Sequence, residues 1–426
     1  MTGDSFQATY LIETPLDPVA VAEILAGEQS CGTFTRVEGE TDALRERARA
    51  VVESVEPLPD APGPSLPSGW MNRRGMMSRP QTWRRARLRV RFPVANVGAN
   101  LPTLAATVSG NLFDLGEVSG LRLESLSLGV DYRRRFDLPV HAIRGTRALV
   151  GVQNTPLIGT IIKPNVGLSA LETADLVARL CAAGIDFIKD DEVSADPFHA
   201  PLGERIRAVM GAVRQHRDRT GRSVMVAFNI SDEVDAMRRH ADLIEAEGGS
   251  CAMVSLNWCG LSALQTLRRH TGLAIHGHRN GFGALSRHPF LGFSFQAWQT
   301  LWRLAGVDHM HVHGLQGKFS QEDDEVIESA HHTLTPLTSG CDDRVLPAFS
   351  NGQWAGTVPI TWAHVRSPDL LFMSGGGIVG HPDGPAAGVT SIRQAWDAVL
   401  AGETLEQRAR HSDALARALK HFGPRV

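Results

Sequence analysis

The sequence has no apolar stretch near the ~20 residues that a membrane-spanning helix needs, so no membrane partner is expected. Neither sign of charge is in excess: 43 Lys+Arg against 46 Asp+Glu leave a formal net charge of −3. That balance lacks the basic footprint of a nucleic-acid binder. Cysteines number only five (Cys31, Cys181, Cys251, Cys259 and Cys341), and the closest pair has seven residues between its members. Neither a disulfide framework nor a C-x2-C zinc pattern follows, and reduced thiols in a cytoplasm are the simplest reading. Met1–Ser5 lacks a basic region leading into an apolar core, so no secretory signal is expected. Hydrophobic residues at 42% and charged residues at 21% sit near the globular norm and exclude wholesale disorder. What is abundant is glycine (42) and histidine (17), with nine histidines between His270 and His332.

From Leu157 onward, short apolar runs alternate with amphipathic stretches. Eight candidate strands emerge: Leu157–Pro164, Ile185–Asp191, Ser223–Ile230, Ser250–Asn257, Leu273–Asn280, His309–His313, Val345–Gly352 and Asp369–Gly376. Helical patterns lie between them, such as Ala170–Ala183, Asp232–Gly248 and Gly260–Thr271. This period predicts an α/β fold with a parallel sheet covered by helices, either a closed (β/α)8 TIM barrel or an open doubly wound sheet. The first 140 residues read differently. Strands at Gln7–Thr14, Ala50–Glu56, Arg85–Ala95 and Leu121–Leu128, with helices at Pro18–Ala26 and Thr103–Val108, give the order of a ferredoxin-like α+β domain. The expected division is 1–140 for that domain and 141–426 for a barrel with C-terminal helices, with Val130–Gln153 as the link. Pro57–Pro80 holds six prolines and reads as a surface loop or disordered segment, a lid or a passive loop.

Barrel active sites form at the C-terminal ends of strands, and six predicted strand ends here carry unusual chemistry. Strand one ends Lys163-Pro164, strand two Lys189-Asp190-Asp191-Glu192, strand five His276-Gly277-His278-Arg279. Strand six carries His309-Met310-His311, strand seven ends Ser350-Asn351-Gly352, and strand eight runs into Ser374-Gly375-Gly376-Gly377. Alternation points Lys189 and Asp191 to one side. Asp191 and Glu192 supply hard oxygens suited to Mg2+; a carbamate formed from Lys189 and CO2 would supply a third anion. A Lys189–Asp191 ion pair beside an acidic turn is the alternative. Glycine turns after strands seven and eight suit phosphate binding, and Arg279 and His311 would hold a second anion.

At Gly159-Thr160-Ile161-Ile162-Lys163-Pro164 and Lys189-Asp190-Asp191-Glu192 the sequence resembles the large chain of ribulose-bisphosphate carboxylase, and in particular the RuBisCO-like proteins that share its fold without fixing CO2. The resemblance implies a set of roles. Lys189 would be the carbamylated ligand, with Asp191 and Glu192, of a Mg2+ ion. Lys163 would be the strand-one catalytic lysine, Lys318 the mobile-loop lysine and His278 a further catalytic residue, with Asn165, Arg279 and His311 substrate-facing. Ser350, Gly352, Gly375 and Gly376 would take the hydroxyl and phosphate positions. Glu28, Thr33 and Asn111, within Glu28–Phe34 and Ser109–Phe113, would reach the barrel mouth of a partner subunit, which implies a homodimer or an assembly of dimers. Two departures stand out: Asn165 replaces a lysine and Phe282 a histidine, so an amine and a hydrogen-bonding ring are missing, and CO2 fixation on ribulose bisphosphate is not expected.

The superfamily works through a metal-stabilised enediolate. Retention of Lys318 and Lys163 implies a Mg2+-dependent decarboxylase of a phosphorylated β-keto sugar acid, of the 3-oxo-isoapionate 4-phosphate type, in carbohydrate catabolism. Alternatives are a transcarboxylase/hydrolase on the same acid, an enolase or isomerase of methionine salvage, and a non-catalytic sensor.

Overall fold

The computed structural model describes residues 4–32, 37–79 and 81–423. Alternation sets the N-terminal sheet. In the strand Trp83–Pro93, Ala86, Leu88, Val90 and Phe92 are buried on one face. The other face carries Arg85, Arg87 and Arg91, paired with Glu13, Glu124 and Glu53 at 2.7–2.8 Å. Ser5–Thr14 lies antiparallel between this strand and Gly120–Leu128, and Val51–Ala61 takes an edge. With helices Pro18–Glu28 and Leu101–Ser109, the connectivity is the ferredoxin-like one read from sequence. A fifth strand, Leu291–Phe293, runs parallel to Gly120–Leu128 and comes from the segment that follows barrel strand five. Backbone contacts accordingly group Met1–Leu138 with Gly281–Ala305 and Pro336–Asp342, and Pro139–Asn280 with Gly306–Thr335 and Asp343–Val426.

The Pro-rich stretch corrects one expectation. It is structured rather than a bare loop. The strand continues through Pro57 and Pro59 to Ala61, where an edge position tolerates proline. Ser68 then accepts from Met71 N and caps a helix over Gly69–Arg73, and Met71 is buried with Ala61 and Trp83. Pro80 lies outside the described residues.

The second unit contains a closed barrel of eight parallel strands, as the βα period predicts. They are Leu157–Ile161, Phe187–Lys189, Met225–Asn229, Cys251–Ser255, Ala274–His278, His309–His311, Leu346–Phe349 and Leu371–Met373. Each is shorter than its sequence-read span and is almost wholly buried, because helices cover its outer face and neighbouring strands its inner face. Leu157, Phe187, Met225, Cys251, Ala274, Leu346 and Leu371 form the lower interior. Val130–Gln153 is more than a link: its helix Ala142–Val150 sends Ile143 and Val150 into this core.

Asp308, just before strand six, ties that helix to the barrel. Its fully buried carboxylate accepts from His141 N (2.6 Å), Ala142 N (2.7 Å), Ile275 N (2.8 Å) and Arg268 Nη1 (3.0 Å). Removing it leaves a buried guanidinium and three amides without this acceptor. Asp308→Ala is expected to cost about 3–5 kcal/mol in urea denaturation; a loss under about 1 kcal/mol would show that the four bonds re-form elsewhere.

Candidate active site

The strand period carries polar side chains to one end of the barrel. Cys251, Met253 and Ser255 alternate along strand four, Ala274, His276 and His278 along strand five, and His309 and His311 along strand six. Apolar residues fill the lower positions, and the polar ones sit at or just past the C-terminal ends. Lys163, Lys189, Asp191, His278, His311, Ser350 and Gly375 follow from this register.

Lys189 is fully buried, and its amine donates to Asp190 O at 2.9 Å and to Met253 Sδ at 3.5 Å. Burial pulls its pKa down to about 8, against the opposing pull of Asp191 and Glu192. Among the described residues no carboxylate takes its proton directly. Asp191 is instead paired with Lys163, Nζ to Oδ2 at 2.7 Å, and Lys163 also donates to Asn165 Oδ1 at 2.5 Å. The residue that replaced an amine is therefore an acceptor for the remaining one. Gly375 borders this lysine: a Cβ there would lie 3.7 Å from Lys163 Cε.

Glu192 meets His278 at 3.0 Å through Nε2. Burial depresses the pKa of His278, and its Nδ1 accepts from Asn280 N at 3.3 Å, so the neutral ring donates from Nε2 to the carboxylate. That hydrogen bond holds the Glu192 carboxyl well below the usual range. Its main-chain oxygen and that of Asp191 accept from Asn229 Nδ2 at 3.2 and 3.1 Å. Asp190 points the other way into a buried pair with Arg205 at 3.1 Å. Among the described residues no three His, Cys, Asp or Glu side chains form a metal-binding group. The hard donors available are Asp191 and Glu192, beside an amine whose neutral form burial favours.

His278 and His311 lie with ring centroids 4.4 Å apart, and His311 Nδ1 is 3.1 Å from Ser350 Oγ. Arg279 is buried, which lowers its pKa to about 9. Lys318 is exposed on a loop that packs on the one after strand seven: its N donates to Asn351 Oδ1 at 3.2 Å, and a Cβ at Gly352 would lie 3.7 Å from that same nitrogen. Gly314 and Gly317 allow the approach, since a Cβ at either would strike Gln353 or Asn351. Gly376 begins a short turn of helix with open space where a Cβ would be.

Glu28 and Asn111 belong to the other unit. Glu28 ends a helix and is exposed, and Asn111, also exposed, opens a 3-10 turn whose N–H is accepted by Gln29 at 3.1 Å once that amide is turned. Thr33 lies outside the described residues. Phe282 packs on Trp298 at 4.7 Å between rings.

Sequence reasoning passed over Asn229, Arg205, Met253 and His313, and it named His276 and His309 on their strands without giving them a role. The histidines were legible: His276-x-His278 and His309-x-His311 put both members of each pair on the inward face. His313, in the left-handed region at φ 69°, has its pKa lowered to about 3, first by burial and then by Arg279.

Residues 142–422 match the family described as ribulose bisphosphate carboxylase large chain, catalytic domain. The chain belongs to the ribulose bisphosphate carboxylase large chain family. Within it, the chain is 49% identical to a 3-oxo-isoapionate-4-phosphate transcarboxylase/hydrolase of Xanthobacter autotrophicus, covering 97% of this chain and 98% of that one. It is 39% identical to a 3-oxo-isoapionate-4-phosphate decarboxylase of Rhizobium etli, covering 97% and 98%. A solved RuBisCO-like protein from Burkholderia fungorum is 64% identical, with a TM-score of 0.93 over 98% of this chain and all of that one.

The buried amine sets a stability test in CO2-free, metal-free buffer. Its folded pKa of about 8 lies below the ordinary 10.5, so the unfolded chain binds more protons between those values. Native stability therefore rises with pH across that window. Lys189→Met is expected to be more stable than the native chain at pH 7, by about 1–3 kcal/mol, with the advantage shrinking by pH 10. Urea denaturation at both values checks the sign.

Proposed function

We propose that the chain cleaves a carbon–carbon bond of 3-oxo-isoapionate 4-phosphate, or of a closely similar phosphorylated 3-oxo sugar acid, with Mg2+ held by Asp191, Glu192 and a carbamate on Lys189. The observation that carries this reading is that relatives at 49% and 39% identity, matched over nearly their whole length, are named for that one substrate. The barrel mouth agrees with it in chemistry. When bound, the ion would stabilise negative charge on the substrate's oxygens.

The chain's own residues supply the rest. Loss of the carboxylate as CO2 leaves the bond's electron pair on the carbon next to the ketone. Hydrolytic cleavage leaves it on the carbon next to the carboxylate. Either way a proton must then return to carbon. Lys163, an ammonium positioned by Asp191 and Asn165, is the donor within the site. Lys318 would meet the carboxylate, and the turns at Gly352, Gly375 and Gly376 would cradle the phosphate. The higher identity favours the transcarboxylase/hydrolase outcome over the decarboxylase outcome expected from sequence. A homodimer or assembly of dimers remains part of this reading.

The test mixes purified protein, Mg2+ and bicarbonate with 3-oxo-isoapionate 4-phosphate and follows both CO2 release and acid products. Consumption of the keto acid is expected, and CO2 yield separates the two outcomes. Lys163→Met should lower kcat by about 10²–10⁴-fold. Enolisation of a diketone phosphate with no consumption of the keto acid would overturn the reading.

A second measurement addresses the ligand. Carbamate formation needs the neutral amine, which gains population as pH rises through about 8. 13CO2 with Mg2+ should give a carbamate carbon resonance that grows over that range and disappears in Lys189→Met.

A further inference from the structure

One continuous line of hydrogen bonds runs through the barrel interior and crosses three histidines that the proposed chemistry does not otherwise explain. Thr146 lies on the helix Ala142–Val150 that closes the lower core. Its Oγ is 2.5 Å from Ala142 O and 2.7 Å from His309 Nε2. His309 Nδ1 is 3.4 Å from His276 Nδ1, His276 Nε2 is 2.7 Å from His311 Nε2, and His311 Nδ1 is 3.1 Å from Ser350 Oγ. Thr146, His276, His309 and His311 are all buried to 3% exposure or less.

Elementary proton counting gives this line a direction. Two oxygens 2.5 Å apart repel unless a proton lies between them, and a carbonyl has none, so the Thr146 hydroxyl donates to Ala142 O. The hydroxyl then has no proton left for His309 and must accept from it. His309 therefore carries its proton on Nε2 and has a bare Nδ1, which accepts from His276 Nδ1–H. His276 is left with a bare Nε2, which accepts from His311 Nε2–H. His311 is left with a bare Nδ1, and the proton facing it comes from Ser350 Oγ. A second proton on any ring would set one N–H against another, and burial opposes the charged form of all three.

We propose that this chain makes Thr146, His309 and His276 positioning residues that fix the tautomer of His311 and turn the Ser350 proton inward. Two consequences follow for the barrel mouth. His311 has both nitrogens engaged, so it offers no N–H to an anion and orients Ser350 instead. Ser350, its proton drawn to His311, presents lone pairs and accepts from a ligand hydroxyl rather than donating to a phosphate oxygen. The reading thus assigns Ser350 to the hydroxyl-bearing part of the substrate. It rests on the proposed function only for its kinetic readout.

Neutron diffraction from crystals of the perdeuterated full-length protein reads the tautomers with no substrate present. Deuterium is expected on His309 Nε2, His276 Nδ1 and His311 Nε2, and on Ser350 Oγ directed at His311. Deuterium on His311 Nδ1 overturns the proposal whatever the substrate is. Thr146→Val removes the acceptor that orients the chain, and Thr146→Ser keeps it. The valine variant should show a mixed His311 tautomer and a KM for 3-oxo-isoapionate 4-phosphate raised about 2- to 10-fold, the worth of one hydrogen bond, with kcat less affected and both restored in the serine variant. Unchanged deuterium positions in Thr146→Val also overturn it. If that compound is not turned over at all, the proposed function fails while the deuterium positions still decide the chain.

Discussion

A closed barrel gives the polar groups along its axis no solvent to turn to. Strand edges are all paired, helices cover the outside, and whatever points inward must find its partner within the barrel or on the helix that closes it. This constraint shapes the interior of the second unit. Apolar side chains fill the lower positions of most strands, but strands five and six bring histidines in at successive inward positions. They are tolerable there because each ring nitrogen of His276, His309 and His311 faces another donor or acceptor, on a neighbouring strand or its end or, for His309 Nε2, on the helix Ala142–Val150. A lone histidine at any of these points would leave a buried nitrogen unsatisfied, at a cost of about 1–3 kcal/mol.

The acidic turn after strand two obeys the same rule by different means. Three consecutive carboxylates cannot share one buried space, so they diverge. Asp190 turns to Arg205, Asp191 to Lys163 and Glu192 to His278. Asn229 on the next strand fastens the two backbone carbonyls that link the latter pair. The geometry leaves Lys189 beneath the turn without a carboxylate partner of its own. An amine so placed is already part-way to its neutral form, which is the form the proposed carbamate needs.

How much of this was legible in sequence follows from which interactions are local. The eight barrel strands were readable because each is a buried apolar run bounded by helical periodicity, and the N-terminal order because its strands alternate. The strand ends shrank by one to three residues where the chain leaves the ladder to build the mouth. Pro57–Pro80 was read as one loop because proline content marks loops, but Pro57 and Pro59 belong to an edge strand, Pro62, Pro64 and Pro67 to the loop after it, and a capped helix free of proline follows. Arg205, fifteen residues beyond Asp190, and Met253, on a strand two away from Lys189, were invisible because no spacing rule links them. Only closure of the barrel brings them together. Lys163, Lys189, Asp191, His278, His311, Ser350 and Gly375 lie at or just past the C-terminal ends of barrel strands, but resemblance said nothing about which proton sits on which nitrogen.

The distribution of charge along the barrel completes the argument. Ion pairs stand at its two ends: Arg268 with Asp308 before strand six, and Lys163 with Asp191 and Arg205 with Asp190 at the C-terminal rim. Between them the polar groups are neutral imidazoles and hydroxyls, with the Lys189 amine, whose cationic form burial disfavours, beneath the acidic turn. A charged group in that middle stretch would pay desolvation with no water to relax around it, and one charge there would raise the cost of the next. Neutral hydrogen-bonding groups avoid that penalty while still fixing orientation. A reaction that places an electron pair on carbon needs its cations near the mouth, and it needs the floor beneath them not to compete for the same charge. The departure at Asn165 fits that division. Asn165 adds an acceptor for Lys163 in place of a second cation. Phe282, in the other unit, meets Phe295 edge-on and Trp298 at a tilt. What remains is a mouth in which Lys163 is the cation paired with Asp191, with Arg205 holding Asp190 on the other side of the turn.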